Sequence, residues 1–143
     1  MADSFFGGVS LAESHELIAA TCGLSGMLVL IVDDEVAIVE LLAELLTDEG
    51  YEVQTAFDGR SALSLLHNGL QPSVVVTDIM MPGLDGWAFY HALREVFAFR
   101  KTGVVLMSAG RARPTELPDP WVTFIAKPFN VFDMLDAIIR VSS

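Results

Sequence analysis

The sequence predicts an α/β domain in which helices cover both faces of a doubly wound, five-stranded parallel sheet. Short apolar runs of strand length alternate along the chain with segments in which apolar residues recur every three or four positions. The first pattern is typical of strands buried on both faces, and the second is typical of amphipathic helices. This alternation favours parallel strands joined by right-handed crossovers. The length of 143 residues suits one domain.

The strands are predicted from their apolar and β-branched runs. The first run, Met27–Val32, is apolar throughout, and the third consists of three valines followed by Thr77. Residues of this type pack well on a pleated, buried surface. We place the strands at residues 27–32, 51–56, 74–77, 104–107 and 122–126.

Amphipathic helices are predicted between the strands and after the last one. Asp58 is placed to cap a helix over residues 59–67, and Asn130 is placed to cap the last helix. The apolar stripes are carried by Ile38, Leu41, Leu42, Leu45 and Leu46 in the first helix, by Phe89, Ala92, Leu93, Val96 and Phe97 in the third, and by Val131, Met134, Leu135 and Ile138 in the last.

The first 26 residues differ in composition from the rest of the chain. They are rich in glycine, serine and alanine, and Ser10 precedes Glu13 at the spacing of a capping box. A short helix over residues 11–21 is therefore predicted within an amino-terminal extension, residues 1–26. The sheet domain is assigned to residues 27–143.

The charge of the chain limits the kinds of partner. Eight basic residues against nineteen acidic ones give a net charge of −11, whereas direct nucleic-acid binding requires a basic surface. No apolar run reaches the roughly 18 residues of a membrane span, and no secretory signal is visible. With a single cysteine, Cys22, a cytoplasmic location is the expectation.

Polar side chains follow four of the predicted strands. Asp33 and Asp34 follow the first, Asp78 the third, Ser108 the fourth and Lys127 the fifth. The carboxyl ends of parallel strands meet at one edge of the sheet, where such folds bind their ligands. Crowded carboxylates need a cation, and hard oxygen ligands suit Mg²⁺. The pattern thus predicts a magnesium site beside a lysine.

The ordered motifs at these strand ends resemble those of response regulator receiver domains, which have a flavodoxin-like fold. The resemblance covers residues 27–143 and is carried by Leu30–Glu35, Thr77–Gly86, Met107–Ala109 and Lys127–Phe129. It implies a phosphoacceptor signalling switch that receives its phosphoryl group from a histidine kinase or a histidine phosphotransfer protein. It further implies a monomer or weak dimer that signals to a downstream protein by contact.

The resemblance also implies roles for single residues. Asp78 becomes the aspartyl phosphate, Lys127 stabilises the phosphoryl charge, and Ser108 and Phe124 form the switch. Mg²⁺ is held by Asp34 and Asp78 directly, by Asp33 through water and by the backbone carbonyl of Met80, which completes the list of site residues.

One segment departs from the family pattern. Pro114, Pro118 and Pro120 lie between Ser108 and Lys127, where receiver domains have their fourth helix. Each proline removes a backbone donor and disfavours helix in the residue before it. We therefore predict that the fourth helix is short or absent.

Three other interpretations stay open. A multiple-turnover enzyme is disfavoured because the chain has no nucleotide-binding glycine loop and no serine nucleophile elbow. A binding module of the same fold that works without phosphorylation is the second interpretation. In the third, the domain is a fragment of a larger regulator or hybrid kinase. A phosphoryl-accepting domain that is not an enzyme is the expectation.

Overall fold

The computed structural model of the chain describes residues 27–109 and 116–142. The strands are β1 (Leu28–Val32), β2 (Glu52–Ala56), β3 (Val74–Asp78), β4 (Gly103–Ser108) and β5 (Val122–Ala126). The helices are α1 (Val36–Asp48), α2 (Gly59–His67), α3 (Gly86–Glu95) and α4 (Val131–Val141), with a 3₁₀ turn at Phe97–Phe99. The predicted extension, its helix over 11–21 and Cys22 lie outside the described residues.

The five strands form one parallel sheet in the order β2-β1-β3-β4-β5. The predicted doubly wound, flavodoxin-like sheet is therefore confirmed. Because the chain reverses its direction of winding between β1 and β3, the carboxyl ends of these two strands border the crevice where such folds bind ligands. The sheet thus brings the ends of β1 and β3 side by side.

Two apolar layers enclose the sheet. On one face, α1 and α4 bury residues such as Leu42, Leu46 and Ile138 against Val29 and Ile31 of β1. On the other face, α2 and α3 bury a second cluster. Parallel strands that are covered on both faces lose nearly all contact with water, which accounts for the unbroken valine run of β3.

Capping side chains set where three of the helices begin. The Asp58 carboxylate accepts a hydrogen bond from Ser61 N at 2.7 Å, as predicted. Asn130 Oδ1 accepts one from Asp133 N at 2.8 Å, also as predicted. Asp85 caps α3 in the same way. Each cap satisfies a backbone N–H that has no partner inside its helix.

The predicted apolar stripe of α3 is wrong at its end. The helix stops at Glu95 because Val96 adopts an extended conformation with φ −90° and ψ 122°. Phe97 then lies in the 3₁₀ turn with 81% of its surface exposed, whereas the stripe predicted it to be buried. The stripe predicted for α1 is also wrong at one position. Leu41 was predicted to be buried but is half exposed, and Val39, which was not in the stripe, is buried in the core.

A polar network ties the connection between β4 and β5 to α3. Arg94 Nε lies 2.8 Å from Asp119 Oδ2, and the Arg94 guanidinium also donates to the carbonyls of Phe99 and Trp121. Tyr90 donates its hydroxyl proton to Asp119. Burial raises the pKa of Asp119, but the hydrogen bonds from Arg94 and Tyr90 outweigh it and hold that pKa below the usual value.

No helix forms in the described part of this connection. Residues 116–121 consist of bends and turns, and Pro118 and Pro120 lie among them. For these residues the prediction of a short or absent fourth helix is confirmed, while residues 110–115 lie outside the described part. None of the helices in residues 27–109 and 116–142 has the length and apolar character of a membrane span.

Candidate functional site

The structure brings the predicted strand-end residues to one rim of the sheet. Asp33 and Asp34 directly follow β1, while Asp78 is the last residue of β3 and Ser108 the last of β4. Lys127 directly follows β5, where its backbone N–H donates to the carbonyl of Ser108 at 2.8 Å. Asp33, Asp78 and Ser108 are buried, whereas Asp34 is exposed to solvent.

The lysine bridges two of the carboxylates. Lys127 Nζ lies 3.0 Å from Asp33 Oδ2 and 3.3 Å from Asp78 Oδ1. The Glu35 carboxylate is also near, with Oε1 at 4.0 Å from the same nitrogen. Asp33 is oriented further by the backbone N–H of Glu35, which donates to Asp33 Oδ1 at 2.9 Å. The ammonium group is thus centred between the buried carboxylates of two strands.

The electrostatics of the rim differ between Asp78 and Lys127. Burial raises the pKa of Asp78, the charge of Lys127 opposes this shift, and the neighbouring Asp33 adds to it, so that the pKa lies above the usual value. For Lys127, burial lowers the pKa, but the hydrogen bond and charge of Asp33 and the charge of Asp78 outweigh it and raise the pKa. The lysine therefore stays charged, and its single positive charge is too small to balance the carboxylates of Asp33, Asp34 and Asp78.

The carboxylates of Asp33, Asp34 and Asp78 fit a divalent cation. One oxygen from each lies within 4.8 Å of the other two. Three carboxylate oxygens at such separations suit a hard cation such as Mg²⁺, which tolerates few protein ligands and keeps its waters. Met80 lies two residues after Asp78 in the sequence and is 74% exposed. The ligand role of its backbone carbonyl stays a prediction.

A tight backbone contact holds Asp78 in place. Gly86, the first residue of α3, donates its N–H to the carbonyl of Ile79 at 2.9 Å. A Cβ atom at Gly86 would come within 2.4 Å of the carbonyl oxygen of Asp78. Gly83 has φ +76°, a conformation that side chains rarely adopt. The glycines after Asp78 therefore let the start of α3 pack directly on the end of β3.

The two predicted switch residues lie on neighbouring strands. Ser108 follows Met107, which pairs in register with Asp78. Phe124, on β5, is half buried, and its ring packs against Trp87 of α3 with 5.4 Å between ring centres. The structure places Ser108 at the rim beside the carboxylates and Phe124 on the adjacent strand. Their movement stays a prediction.

Sequence reasoning missed Glu35, Trp87 and the role of Gly86. Glu35 was visible only as a neighbour of the acidic pair, and nothing in the sequence indicates its approach to Lys127. Trp87 contacts Phe124 from another part of the chain, so no local pattern predicts the pair. Gly86 stands at the end of the Thr77–Gly86 motif, but the sequence does not show that the backbone of Asp78 approaches it.

The fold and this rim together define a class: doubly wound α/β domains with an acidic pocket and a lysine at the carboxyl edge of the sheet. Comparison with known sequences identifies the family. Residues 29–139 match the response regulator receiver domain. The chain therefore belongs to the receiver domains of two-component response regulators.

Related proteins agree with this assignment. The chain is 38% identical over 127 residues to the transcriptional regulatory protein TcrA of Mycobacterium tuberculosis, covering 85% of this chain and 48% of TcrA. It is 40% identical over 105 residues to the response regulator PleD of Caulobacter vibrioides, covering 71% of this chain and 23% of PleD. The chain thus spans about half the length of TcrA and about a quarter of the length of PleD.

Solved structures show the same fold. The chemotaxis protein CheY4 of Vibrio cholerae superposes with a TM-score of 0.72 at 29% identity, covering 82% of this chain and 99% of CheY4. A response regulator receiver protein from Sinorhizobium medicae has the same TM-score at 27% identity, covering 81% of this chain and 94% of that protein.

Proposed function

We propose that this chain is a phosphoacceptor switch of a two-component system, in which Asp78 receives the phosphoryl group. One observation carries the proposal: the carboxylate of Asp78 lies 3.3 Å from Lys127 Nζ within a cluster of three carboxylates. Membership in the receiver family supports it. The donor is a phosphohistidine on a histidine kinase or a histidine phosphotransfer protein.

The transfer consists of one displacement at phosphorus. A carboxylate oxygen of Asp78 attacks the phosphorus atom, the phosphorus–nitrogen bond to the donor histidine breaks, and the imidazole leaves with the bonding electron pair. The phosphoryl group keeps its three peripheral oxygens. The protein contributes mainly position and charge to such a step. Lys127 is placed to pair with a peripheral oxygen, where negative charge grows in the transition state.

Asp33, Asp34 and Asp78, with the Met80 carbonyl, would hold Mg²⁺. When bound, this ion neutralises the charge of the carboxylates and of the incoming phosphoryl oxygens. Such an ion is needed because the one positive charge of Lys127 leaves the cluster of three carboxylates negative. Asp33 has a second task, since its carboxylate holds Lys127 at 3.0 Å and thereby aims the ammonium group at Asp78.

The signal leaves the site through β4 and β5. In this proposal the Ser108 hydroxyl donates to the phosphoryl group and draws the end of β4 toward Asp78, and Phe124 responds by moving its ring. The output is contact with a downstream protein, without direct binding of nucleic acid by this domain. The domain works as a monomer or weak dimer in the cytoplasm, and it is a switch, not a multiple-turnover enzyme.

The chain is also compatible with a place in a longer regulator. TcrA and PleD extend well beyond the segment that this chain matches. In such an arrangement the same site would act on a neighbouring domain. The alternative in which the fold works without phosphorylation is less well supported, because the described rim retains both the carboxylate cluster and the lysine.

Phosphorylation by a small donor tests the proposal. The wild-type protein is incubated with acetyl phosphate and Mg²⁺, and the intact mass is measured beside that of Asp78→Asn. The expected result is one added phosphoryl group in the wild type, none in the variant, and none after Mg²⁺ is chelated. An unmodified wild-type mass under these conditions would contradict the proposal and favour the phosphorylation-independent module.

A further inference from the structure

A second surface of the domain combines two cations with two aromatic rings. We call it the basic aromatic patch, and it consists of Phe97, Arg100, Lys101 and Trp121. The Arg100 guanidinium lies 5.3 Å from the centre of the Phe97 ring, and Lys101 Nζ lies 5.6 Å from the centre of the Trp121 ring. These side chains and Ala98 line a shallow indentation of about 570 Å³.

The basic aromatic patch lies at the opposite end of the sheet from the phosphoacceptor site. Lys101 lies two residues before β4 begins, and Trp121 directly precedes β5. The two segments meet where Val104 N donates to the carbonyl of Trp121 at 2.8 Å. Since both strands run from the patch toward Ser108 and Lys127, a partner on the patch leaves the rim accessible.

The charge of the patch is unlike that of the chain. Eight basic residues face nineteen acidic ones in the whole sequence, yet Arg100 and Lys101 form no ion pair within the part of the chain that the structure describes. By contrast, Arg94 and Lys127 are both paired with carboxylates. Arg100 and Lys101 are adjacent and exposed, and since no described carboxylate pairs with them, they attract an anionic group.

The aromatic side chains add an apolar anchor. Phe97 is 81% exposed, the largest exposure among the large hydrophobic residues that the structure describes. Exposed aromatic residues beside arginine are typical of protein interfaces, where the ring supplies buried area and the cation supplies specificity. An occupant of this surface therefore needs both an apolar side chain and negative charge.

We propose that the basic aromatic patch binds an acidic polypeptide segment that carries an apolar side chain among its carboxylates. Two cations are too few to attach the domain to a bilayer or a nucleic acid, because the net charge of −11 opposes approach to such extended anionic surfaces. A second copy of the chain carries the same net charge and is opposed in the same way. A short peptide segment contacts only the patch.

Peptide binding tests this assignment. The probe is a fluorescein-labelled peptide in which glutamates flank a single leucine, and its control replaces each glutamate by glutamine. Fluorescence anisotropy is expected to show saturable binding of the acidic peptide that weakens as salt is added. About tenfold weaker binding of the acidic peptide is expected for two variants. One is the double variant Arg100→Glu with Lys101→Glu, and the other is Phe97→Ala.

The matched control is Arg60→Glu, which reverses the charge of an exposed arginine on α2, away from the patch. This variant is expected to bind the acidic peptide within about twofold of the wild type. A second readout uses Trp87→Phe, which leaves Trp121 as the single tryptophan. Its emission is expected to change when the peptide binds. Circular dichroism verifies that every variant is folded.

Several results would overturn the assignment. They are equal binding of the glutamine peptide, an equal loss of affinity in Arg60→Glu, and an unchanged affinity in the charge-reversed double variant. Tighter, patch-dependent binding to phosphatidylserine vesicles or to single-stranded DNA would show that one of those ligands, and not a peptide, occupies the patch. Patch-dependent sedimentation as a dimer would show that a second copy of the chain occupies it. Phosphorylation of the double variant by acetyl phosphate is measured in parallel. This second measurement tests the proposed function independently of peptide binding.

Discussion

Replacing Gly86 by alanine tests how closely α3 supports the phosphoacceptor carboxylate. The added Cβ would lie 2.4 Å from the carbonyl oxygen of Asp78 and 2.8 Å from the Cα of Ile79. Real Cβ atoms do not approach closer than 3.0 Å, so the contact with Asp78 must open by about 0.6 Å. Both atoms belong to the backbone and cannot rotate away, which forces β3 and α3 apart.

The size of the effect follows from this displacement. Overpacking of this kind costs about 1–3 kcal/mol, and the gain in helix propensity at the first position of α3 offsets only part of it. We expect Gly86→Ala to lower the free energy of unfolding by about 2 kcal/mol. Because errors of about 1 Å in position reduce transfer rates by up to about 100-fold, phosphorylation should slow at least about tenfold.

The assays are urea denaturation for stability and intact mass against time with acetyl phosphate for the rate. Gly69→Ala is the matched control, since Gly69 has φ +109° and a methyl group added there would have no heavy atom within 4 Å. Backbone strain alone should cost this control about 1 kcal/mol while the phosphorylation rate stays at the wild-type value. Wild-type stability and rate in Gly86→Ala would refute the steric argument.

The charged groups give three further predictions. Lys127→Met should slow phosphorylation by acetyl phosphate about 100-fold, while Lys101→Met should not, because only the first ammonium contacts Asp78. Asp119→Ala should lower the free energy of unfolding in urea by about 2 kcal/mol at pH 7, because Arg94 loses its carboxylate. The pKa of Asp119 is depressed, so the ionic part of this loss should fall away as pH drops through that pKa, and a deficit that keeps its full pH 7 size there would contradict the ion-pair account. Burial raises the pKa of the Asp78 carboxyl, so the folded protein binds a proton there more tightly than the unfolded chain does. Ionisation of Asp78 therefore lowers the free energy of unfolding as pH rises. In metal-free buffer Asp78→Asn should therefore be more stable than the wild type to urea at pH 7, with a smaller difference in acid; equal stability at pH 7 would exclude this cost.

The sequence by itself determined the sheet and the chemistry of its rim. Local patterns were sufficient because a strand buried on both faces must be apolar along its whole length, as β3 is. The topology of parallel strands then places every strand end at one edge, so that Asp33, Asp78 and Lys127 could be brought together before any distance was known. Caps at Asp58 and Asn130 were equally local, because each bond spans three residues.

Tertiary structure alone decided which side chains meet across separate elements. Lys127 is held by Asp33, which lies 94 positions earlier in the chain. Arg94 of α3 pairs with Asp119, which lies in the connection between β4 and β5. The periodicity gave the wrong burial for Phe97 because the helix ends at Glu95, two residues before the end of the predicted apolar stripe. Spacing in sequence reports the face of one element, whereas contacts between elements depend on how the packed layers fit together.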